Sequence, residues 1–134
     1  MIKLAKNQKA PLIISTVAYN RLIPPHRPPD DSYQRCGRFL QLNKFDDLRK
    51  CLETALDEDL QPHRASERSN NIIKELAALY DVPLADVDKR IVEHSDKGIP
   101  GQNIFSDYCH LLPRGRYLLL KEVFRVIQEN SLLK

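Results

Sequence analysis

An aspartate and a histidine stand three residues apart near the end of the sequence, in the run Asp107-Tyr-Cys-His110. A three-residue offset lets one turn of the chain bring the carboxylate of Asp107 beside the imidazole of His110. The carboxylate then accepts the Nδ1 proton and sets the tautomer, so that Nε2 is free to take a proton from a nucleophile. The spacing alone therefore allows a paired carboxylate and imidazole of the kind used in general acid–base catalysis.

The other cysteine and histidine side chains give no comparable pattern. Neighbours in sequence usually point apart, so we interpret Cys109 as a small buried hydrophobe and not as a thiol nucleophile paired with His110. No Cys-x-x-Cys pair occurs, and no metal-ligand spacing joins the remaining residues of these types. We therefore predict no metal ion and no cofactor. The residues weighed here are His26, Cys36, Cys51, His63 and His94.

Two arginines near the pair leave an alternative open. Arg114 and Arg116 lie close to His110 in sequence, where they are able to attract an anionic group of a substrate. A solvated surface role is the simpler interpretation of both side chains.

Composition places the chain among ordinary soluble domains. It has 134 residues, of which 42% are hydrophobic and 29% charged, with a net charge of +3. This length and composition predict one compact domain, and the small scattered charge predicts no nucleic-acid partner. No apolar run approaches the ~20 residues of a membrane span, and no signal peptide is predicted. Three cysteines without a pairing pattern favour reduced thiols and a cytoplasmic location.

Two short apolar runs predict the strands that would position the pair. Pro11–Val17 is rich in β-branched residues, as in a buried strand of a parallel sheet. Val82–Asp86 predicts a second strand, after which Asp86 can cap a helix that runs to about His94. Four prolines between residues 24 and 29 predict a long surface loop after the first strand.

Helical periodicity predicts most of the other elements. Apolar residues three and four apart predict helices over 45–56, 63–80 and 113–130, the last with Pro113 in its first turn. Strands alternating with helices favour the α/β class. The predicted core-facing residues are Ile72, Ile73, Leu76, Ala77 and Tyr80 on the second helix, and Leu119, Leu120, Val123, Phe124 and Ile127 on the third.

The middle of the chain resembles one tetratricopeptide repeat. Within Leu40–Asp59, Phe45 stands where that repeat has its inter-helix aromatic residue, and Ala55-Leu56 where its second helix packs on the next. No second copy follows at the 34-residue period, so the resemblance implies a single helical hairpin inserted over residues 32–62. An ordinary amphipathic helix pair fits the same pattern.

The run that contains the pair, Gly98–Leu111, resembles the last conserved block of the SGNH/GDSL hydrolases. Pro11–Val17 is similar to a late strand of that family, and Arg68–Asp86 to its penultimate helix and following strand. The resemblance covers nearly the whole chain but only the C-terminal part of a flavodoxin-like α/β/α sandwich. The resemblance implies ester hydrolysis by a Ser-His-Asp triad, with Asp107 as the orienting acid and His110 as the general base.

The third member of the triad is missing from the sequence. There is no Gly-Asp-Ser block for the nucleophile, no Gly-x-Asn-Asp block for oxyanion donors and no Gly-x-Ser-x-Gly elbow. We therefore expect a partial hydrolase domain over residues 1–134 that is inactive alone, and whether this chain is itself an enzyme stays open. Expected partners are a complementary N-terminal chain or a second copy, and a small-molecule ester. The alternative is a non-catalytic interaction module built on the helical hairpin.

Overall fold

The computed structural model describes residues 2–132, and Met1, Leu133 and Lys134 lie outside it. This part of the chain is mostly helical, and within it no helix combines the length and the apolar character needed to cross a bilayer. The elements are α1 (Ile2–Asn7), β1 (Ile14–Ser15), α2 (Ser32–Arg35), α3 (Gly37–Gln41), α4 (Phe45–Asp57), α5 (Glu67–Leu79), β2 (Leu84–Ala85), α6 (Val87–Glu93), a 3-10 turn (Asp96–Gly98) and α7 (Pro113–Glu129).

The two predicted strands form a small parallel sheet. Ile14 lies opposite Leu84 and Ser15 opposite Ala85, so the described chain is consistent with a coarse α/β or mostly helical class. Both strands are shorter than predicted, with two residues each. β2 is short because Asp86 follows at once as the cap of α6, where its side chain accepts a hydrogen bond from the backbone of Lys89.

The helix boundaries follow local capping chemistry. α5 begins at Glu67, four residues later than predicted, because Ser66 and Ser69 form a reciprocal capping box. The Ser69 N–H donates to Ser66 Oγ at 3.1 Å, and the Ser66 N–H donates to Ser69 Oγ at 2.9 Å. α7 begins at Pro113, as predicted, and ends at Glu129.

Two apolar clusters hold the elements together. The first joins the sheet to α6, α7 and the loop before α7, and the second joins α2, α3 and α4 to the 3-10 turn. The buried members of the first are Ala18, Ala85, Val87, Ile91, Ile104, Phe105, Leu118 and Val126, and those of the second are Cys36, Leu48, Leu52, Ala55 and Ile99. The tetratricopeptide assignment of residues 32–62 and the single-domain division stay predictions.

The core-facing side of α7 matches the predicted one only in part, because Leu119 and Val123 pack against the first cluster. Leu118 and Val126 are buried, whereas Leu120 is 65% and Phe124 52% exposed. α5 likewise buries the predicted Ala77, whereas the predicted Ile72 and Leu76 are exposed. A two-stranded sheet is too narrow to cover every apolar position of these helices, so each keeps an exposed apolar stripe. These stripes are Ile72, Leu76 and Leu79 on α5, and Tyr117, Leu120 and Phe124 on α7.

The expectation of three reduced, unpaired thiols is wrong. Cys36, between α2 and α3, is bonded to Cys51 on α4, with 2.09 Å between the sulfur atoms. Cys109 is free and exposed, so its interpretation as a buried hydrophobe is also wrong. Disulfides are typical of oxidising compartments, and the thiol count therefore no longer supports the cytoplasmic prediction.

Candidate active site

A short loop before α7 carries the predicted pair. Phe105 and Leu111 face each other in an antiparallel bridge. The Ser106 N–H donates to the His110 carbonyl at 2.9 Å, and the Leu112 N–H donates to the Ile104 carbonyl at 2.8 Å. These bonds close residues 105–111 into a narrow hairpin with the pair at its tip, so the loop holds its own shape.

The structure brings Asp107 and His110 into direct contact. Asp107 Oδ2 lies 2.7 Å from His110 Nδ1. Asp107 Oδ1 accepts two backbone N–H bonds, from Cys109 at 3.0 Å and from His110 at 2.8 Å. The carboxylate is thereby fixed in orientation, and the imidazole presents Nε2 away from it. The His110 side chain is 78% exposed, so Nε2 is open to solvent.

The same bonds stabilise the ionised carboxylate. Backbone N–H donation from His110 and Cys109, together with the His110 side chain, lowers the pKa of Asp107 to about 2. Asp107 is therefore a carboxylate at any ordinary pH. An ionised partner at Nδ1 selects the imidazole tautomer that leaves Nε2 able to accept a proton.

α7 packs against this hairpin at Gly115. A Cβ added at Gly115 would lie 2.9 Å from the Ile104 carbonyl oxygen and 2.7 Å from Leu111 Cδ2. Glycine is therefore the residue that allows the first turns of α7 to approach the hairpin so closely. Arg116 adds to this contact, because its Nε donates to the Leu111 carbonyl at 2.8 Å.

A buried asparagine holds the hairpin from the opposite side. The Asn20 N–H donates to the Tyr108 carbonyl at 3.0 Å, and its Nδ2 donates to the Asp107 carbonyl at 3.1 Å. Its Oδ1 accepts from the Leu22 N–H at 2.9 Å. Asn20 is 0% exposed, so the segment that follows β1 is fastened directly to the backbone of the pair.

Arg64 also holds the segment after β1 against the hairpin. Its Nη1 donates to the carbonyls of Asn20 and Ile23, each at 2.8 Å, and its Nη2 donates to the Pro24 carbonyl at 2.7 Å. The guanidinium stacks over the Tyr108 ring, with 4.5 Å from Cζ to the ring centre. Arg64 thus links the segment before α5 both to the proline-rich loop and to the hairpin.

Arg21 anchors the segment after β1 to the helices. It is 1% exposed, and its Nη2 and Nη1 donate to the Asp88 carboxylate at 2.8 Å and 3.1 Å. Its Nε donates to Glu53 at 2.9 Å, and its guanidinium lies 4.2 Å from the centre of the Tyr19 ring. Glu67 Oε2 lies 3.7 Å from Nη2 as a third carboxylate partner, and a buried guanidinium paired in this way fixes where this segment can run.

The hydroxyls and the thiol near the pair are not placed as its nucleophile. Ser106 Oγ donates to the His110 carbonyl at 3.2 Å, and Ser15 Oγ donates to a neighbouring carbonyl. Cys109 Sγ lies 3.9 Å from His110 Nδ1, the nitrogen that Asp107 already occupies, and not at Nε2. Of the two arginines, Arg114 donates to the His94 carbonyl at 2.9 Å.

Sequence reasoning missed three residues that position the pair: Asn20, Arg64 and Tyr108. One feature of the sequence could have indicated Asn20. It is a polar residue soon after the end of a predicted buried strand, and ligand sites of parallel sheets commonly lie at the carboxyl ends of strands. Arg64 gave none, because its partners lie about forty residues away. Their contribution depends on the tertiary fold.

Within residues 2–132, the pair also belongs to a group of possible metal ligands. Donor atoms of Asp107, Cys109 and His110 all lie within 4.8 Å of one another. The other histidines take different parts: His94 Nδ1 is 2.9 Å from the carbonyl of Arg90 in its own helix, and the ring of His26 packs edge-on against that of His63.

Comparison with known proteins gives no match. No family model matches the sequence. Neither a curated protein nor a solved structure matches the chain.

Proposed function

We propose that this chain is the C-terminal portion of an SGNH/GDSL-type ester hydrolase and supplies the Asp-His part of its triad. One observation carries the proposal: the 2.7 Å contact between Asp107 Oδ2 and His110 Nδ1, with Oδ1 held by two backbone N–H groups. This is the geometry in which a carboxylate orients a general base and stabilises the imidazolium that forms during acyl transfer. The substrate class is a small-molecule carboxylic ester.

The nucleophile and the oxyanion donors come from outside these 134 residues. The sequence holds no Gly-Asp-Ser or Gly-x-Asn-Asp block, and the described hydroxyls near His110 are engaged elsewhere. The exposure of His110 supports this incompleteness, because hydrolytic sites exclude bulk water from the reacting groups. A complementary N-terminal segment, in the same polypeptide or in a separate one, would both supply the serine and cover the base. The chain alone is accordingly inactive.

Exposed apolar surface supports a complementary segment as partner. A groove of about 650 Å³ runs beside β1, and β2 is the neighbour of β1 on one side of the sheet. A two-stranded sheet is marginal alone, and a free edge beside an apolar groove favours the addition of another strand. In the complete flavodoxin-like sandwich, the added strands and helices would cover the exposed stripes of α5 and α7. The groove is lined by Ile2, Lys3, Leu12, Ile13, Ile14, Ser15, Ile73, Leu76 and Tyr80.

An esterase assay with and without the complement tests the proposal. The purified chain should not turn over a p-nitrophenyl ester above background, whereas co-expression with a Gly-Asp-Ser-containing segment encoded directly upstream should give turnover. His110→Ala should lower the complemented rate by roughly 10²- to 10⁴-fold, the usual share of a general base. His94→Gln is the matched control, since His94 contacts its own helix, and should leave the rate unchanged.

Two results of this assay would contradict the proposal. Turnover by the chain alone that is lost in His110→Ala would show that the chain is complete without a partner. Complemented turnover that His110→Ala leaves intact would remove His110 from the reaction.

A non-catalytic interaction module is the second candidate. It is favoured by exposed leucines on the helical hairpin, Leu40 at 54% and Leu42 at 61%, which resemble part of a protein-binding face. Absence of any Gly-Asp-Ser segment in the neighbouring reading frame, together with a stable monomeric chain, would favour this candidate over the hydrolase.

A further inference from the structure

We propose that Asp107, Cys109 and His110 form a binding site for a thiophilic divalent cation, with Zn²⁺ as the best fit. The binding step stands on the geometry of the hairpin, independently of the hydrolase proposal. One thiol, one imidazole and one carboxylate converge at the hairpin tip, and all three are accessible from solvent. Each residue offers a donor atom of a type that zinc takes in proteins.

The three donor atoms all lie within 4.8 Å of one another, close enough for a tetrahedral ion to draw them together. Zinc with bonds of about 2.0–2.3 Å holds its donors roughly 3.3–3.7 Å apart. Cys109 Sγ and His110 Nδ1 are 3.9 Å apart, which needs almost no adjustment. Asp107 Oδ2 and His110 Nδ1 are 2.7 Å apart, a hydrogen-bond distance, and would move apart by about 0.6 Å for an ion to bind between them.

The surroundings of the carboxylate also suit a metal ligand. Asp107 Oδ1 is held by two backbone N–H groups, so Oδ2 is oriented before any ion arrives. Outer contacts of this kind orient metal ligands and strengthen their binding. The thiolate and imidazole select against Mg²⁺ and Ca²⁺, which prefer oxygen ligands. Three protein ligands leave the fourth position of zinc for water.

Zinc binding changes the protonation of the pair. The thiol of Cys109 releases its proton to solvent. The imidazole of His110 gives up its Nδ1 proton to solvent and takes one from solvent at Nε2, so it coordinates through Nδ1 as a neutral imidazole. An Nε2–H cannot accept a proton from a nucleophile. Where the proposed hydrolase function holds, zinc is therefore a reversible inhibitor of the complemented enzyme.

Cobalt spectroscopy on the full chain tests the site without any substrate. Co²⁺ added to the chain with its disulfide intact should give a thiolate-to-cobalt charge-transfer band in the near ultraviolet, and Zn²⁺ should displace it. Cys109→Ser should abolish the band, and the matched control His94→Gln should keep it. Asp107→Ala and His110→Ala should each weaken zinc binding by at least the roughly 10- to 100-fold that loss of an outer partner costs.

Each contrary outcome of this experiment overturns the site. Absence of the band in the unmodified chain shows that the three donors do not bind the ion together. A band that persists in Cys109→Ser assigns the thiolate ligand to another cysteine, and zinc affinity unchanged in Asp107→Ala and His110→Ala removes those ligands. In the complemented enzyme, zinc should slow the unmodified form but not Cys109→Ser, each relative to its own metal-free rate. If zinc binds as expected but does not slow the complemented enzyme, the inferred inhibition is wrong and the binding site stands.

Discussion

The carboxylate of Asp107 is held mainly by the backbone of its own loop. Its Oδ1 accepts the N–H groups of Cys109 and His110, and only Oδ2 is left for the imidazole. A three-residue spacing is sufficient to produce this arrangement, because the two N–H donors belong to the residues that follow directly. The orientation of His110 therefore depends on a turn that a short peptide segment can build.

The pH dependence of Asp107 follows from these bonds. Its depressed pKa means that the favourable interactions of the carboxylate are fully present above about pH 4, the ordinary carboxyl range, and are lost as the pH falls towards about 2. The carboxyl carbon shift of Asp107, followed by NMR, should titrate with a midpoint near 2. Because backbone donors are the main cause, His110→Ala should keep the midpoint below the ordinary range. A return to the ordinary value in that variant would show that the imidazole is the main cause.

Asn20 should make a measurable contribution to stability. Asn20→Ala removes the donor to the Asp107 carbonyl and the acceptor for the Leu22 N–H. Leaving buried polar groups unpaired costs about 1–3 kcal/mol, so the free energy of unfolding should fall by about that amount in urea denaturation. Asn71→Ala, at an exposed position of α5, is the matched control and should change it little. An equal effect in both variants would contradict the role given to Asn20.

At the scale of elements, the site is a hairpin held between two neighbours. The segment after β1 fastens one side through Asn20 and Arg64, and α7 packs on the other at Gly115. Neither neighbour contributes a reacting atom. Their effect is to fix where the hairpin lies relative to the end of the sheet. Under the proposed function, they thereby also fix the position that a serine from another segment would have to reach.

The close approach of α7 gives a prediction at Gly115. Gly115→Ala places a methyl group against the Ile104 carbonyl oxygen and the Leu111 side chain. Overpacking of this kind costs about 1–3 kcal/mol, more than the roughly 1 kcal/mol that alanine gains over glycine within a helix. Thermal unfolding should therefore show a lower midpoint for this variant. Gly37→Ala, where the added Cβ meets nothing within 4 Å, is the control and should not lower it.

Local features of this protein were predictable from sequence, and contacts between distant segments were not. The pairing of Asp107 with His110 and the start of α7 at Pro113 depend on residues a few positions apart. Asn20 and Asp107 are 87 residues apart, and no periodicity encodes their contact. The faces of α5 and α7 were predicted only in part, because both helices are apolar on more than one side. Which side is buried is decided by what the small sheet can cover.

At the scale of the whole molecule, two clusters of buried apolar residues stabilise the fold. The first cluster surrounds the sheet and α7, and the second joins the short helices α2 and α3 to α4. The Cys36–Cys51 disulfide lies within the second cluster, and the buried Arg21 ties α4 and α6 to the segment after β1. Helices α2, α3 and α4 thus form a unit that is cross-linked by the disulfide and attached to the rest of the protein by charge pairs and packing.

Removal of the disulfide should weaken the protein without affecting the pair. The bond spans 15 residues, and closing a loop of that length stabilises a fold by about 3 kcal/mol, through restriction of the unfolded chain. In chemical denaturation, the free energy of unfolding of the double variant Cys36→Ser with Cys51→Ser should be lower than that of the unmodified chain by about 3 kcal/mol. Cys109→Ser, which removes the free thiol, should unfold like the unmodified chain. Equal stability of the double variant and the unmodified chain would show that the bond does not constrain the unfolded state.

Asn70 has a consequence for how the sheet can grow. Its side-chain amide accepts from the Val17 N–H at 2.8 Å and donates to the Val17 carbonyl at 3.0 Å, as a residue of a neighbouring strand would. Backbone groups alternate in direction along a strand, so the outward-facing groups of Ile13 and Ser15 lie on the same edge as this amide. An incoming strand can therefore pair with Ile13 and Ser15 but is stopped at Val17. The Asn70 side-chain amide therefore limits the length of any added strand and fixes its register.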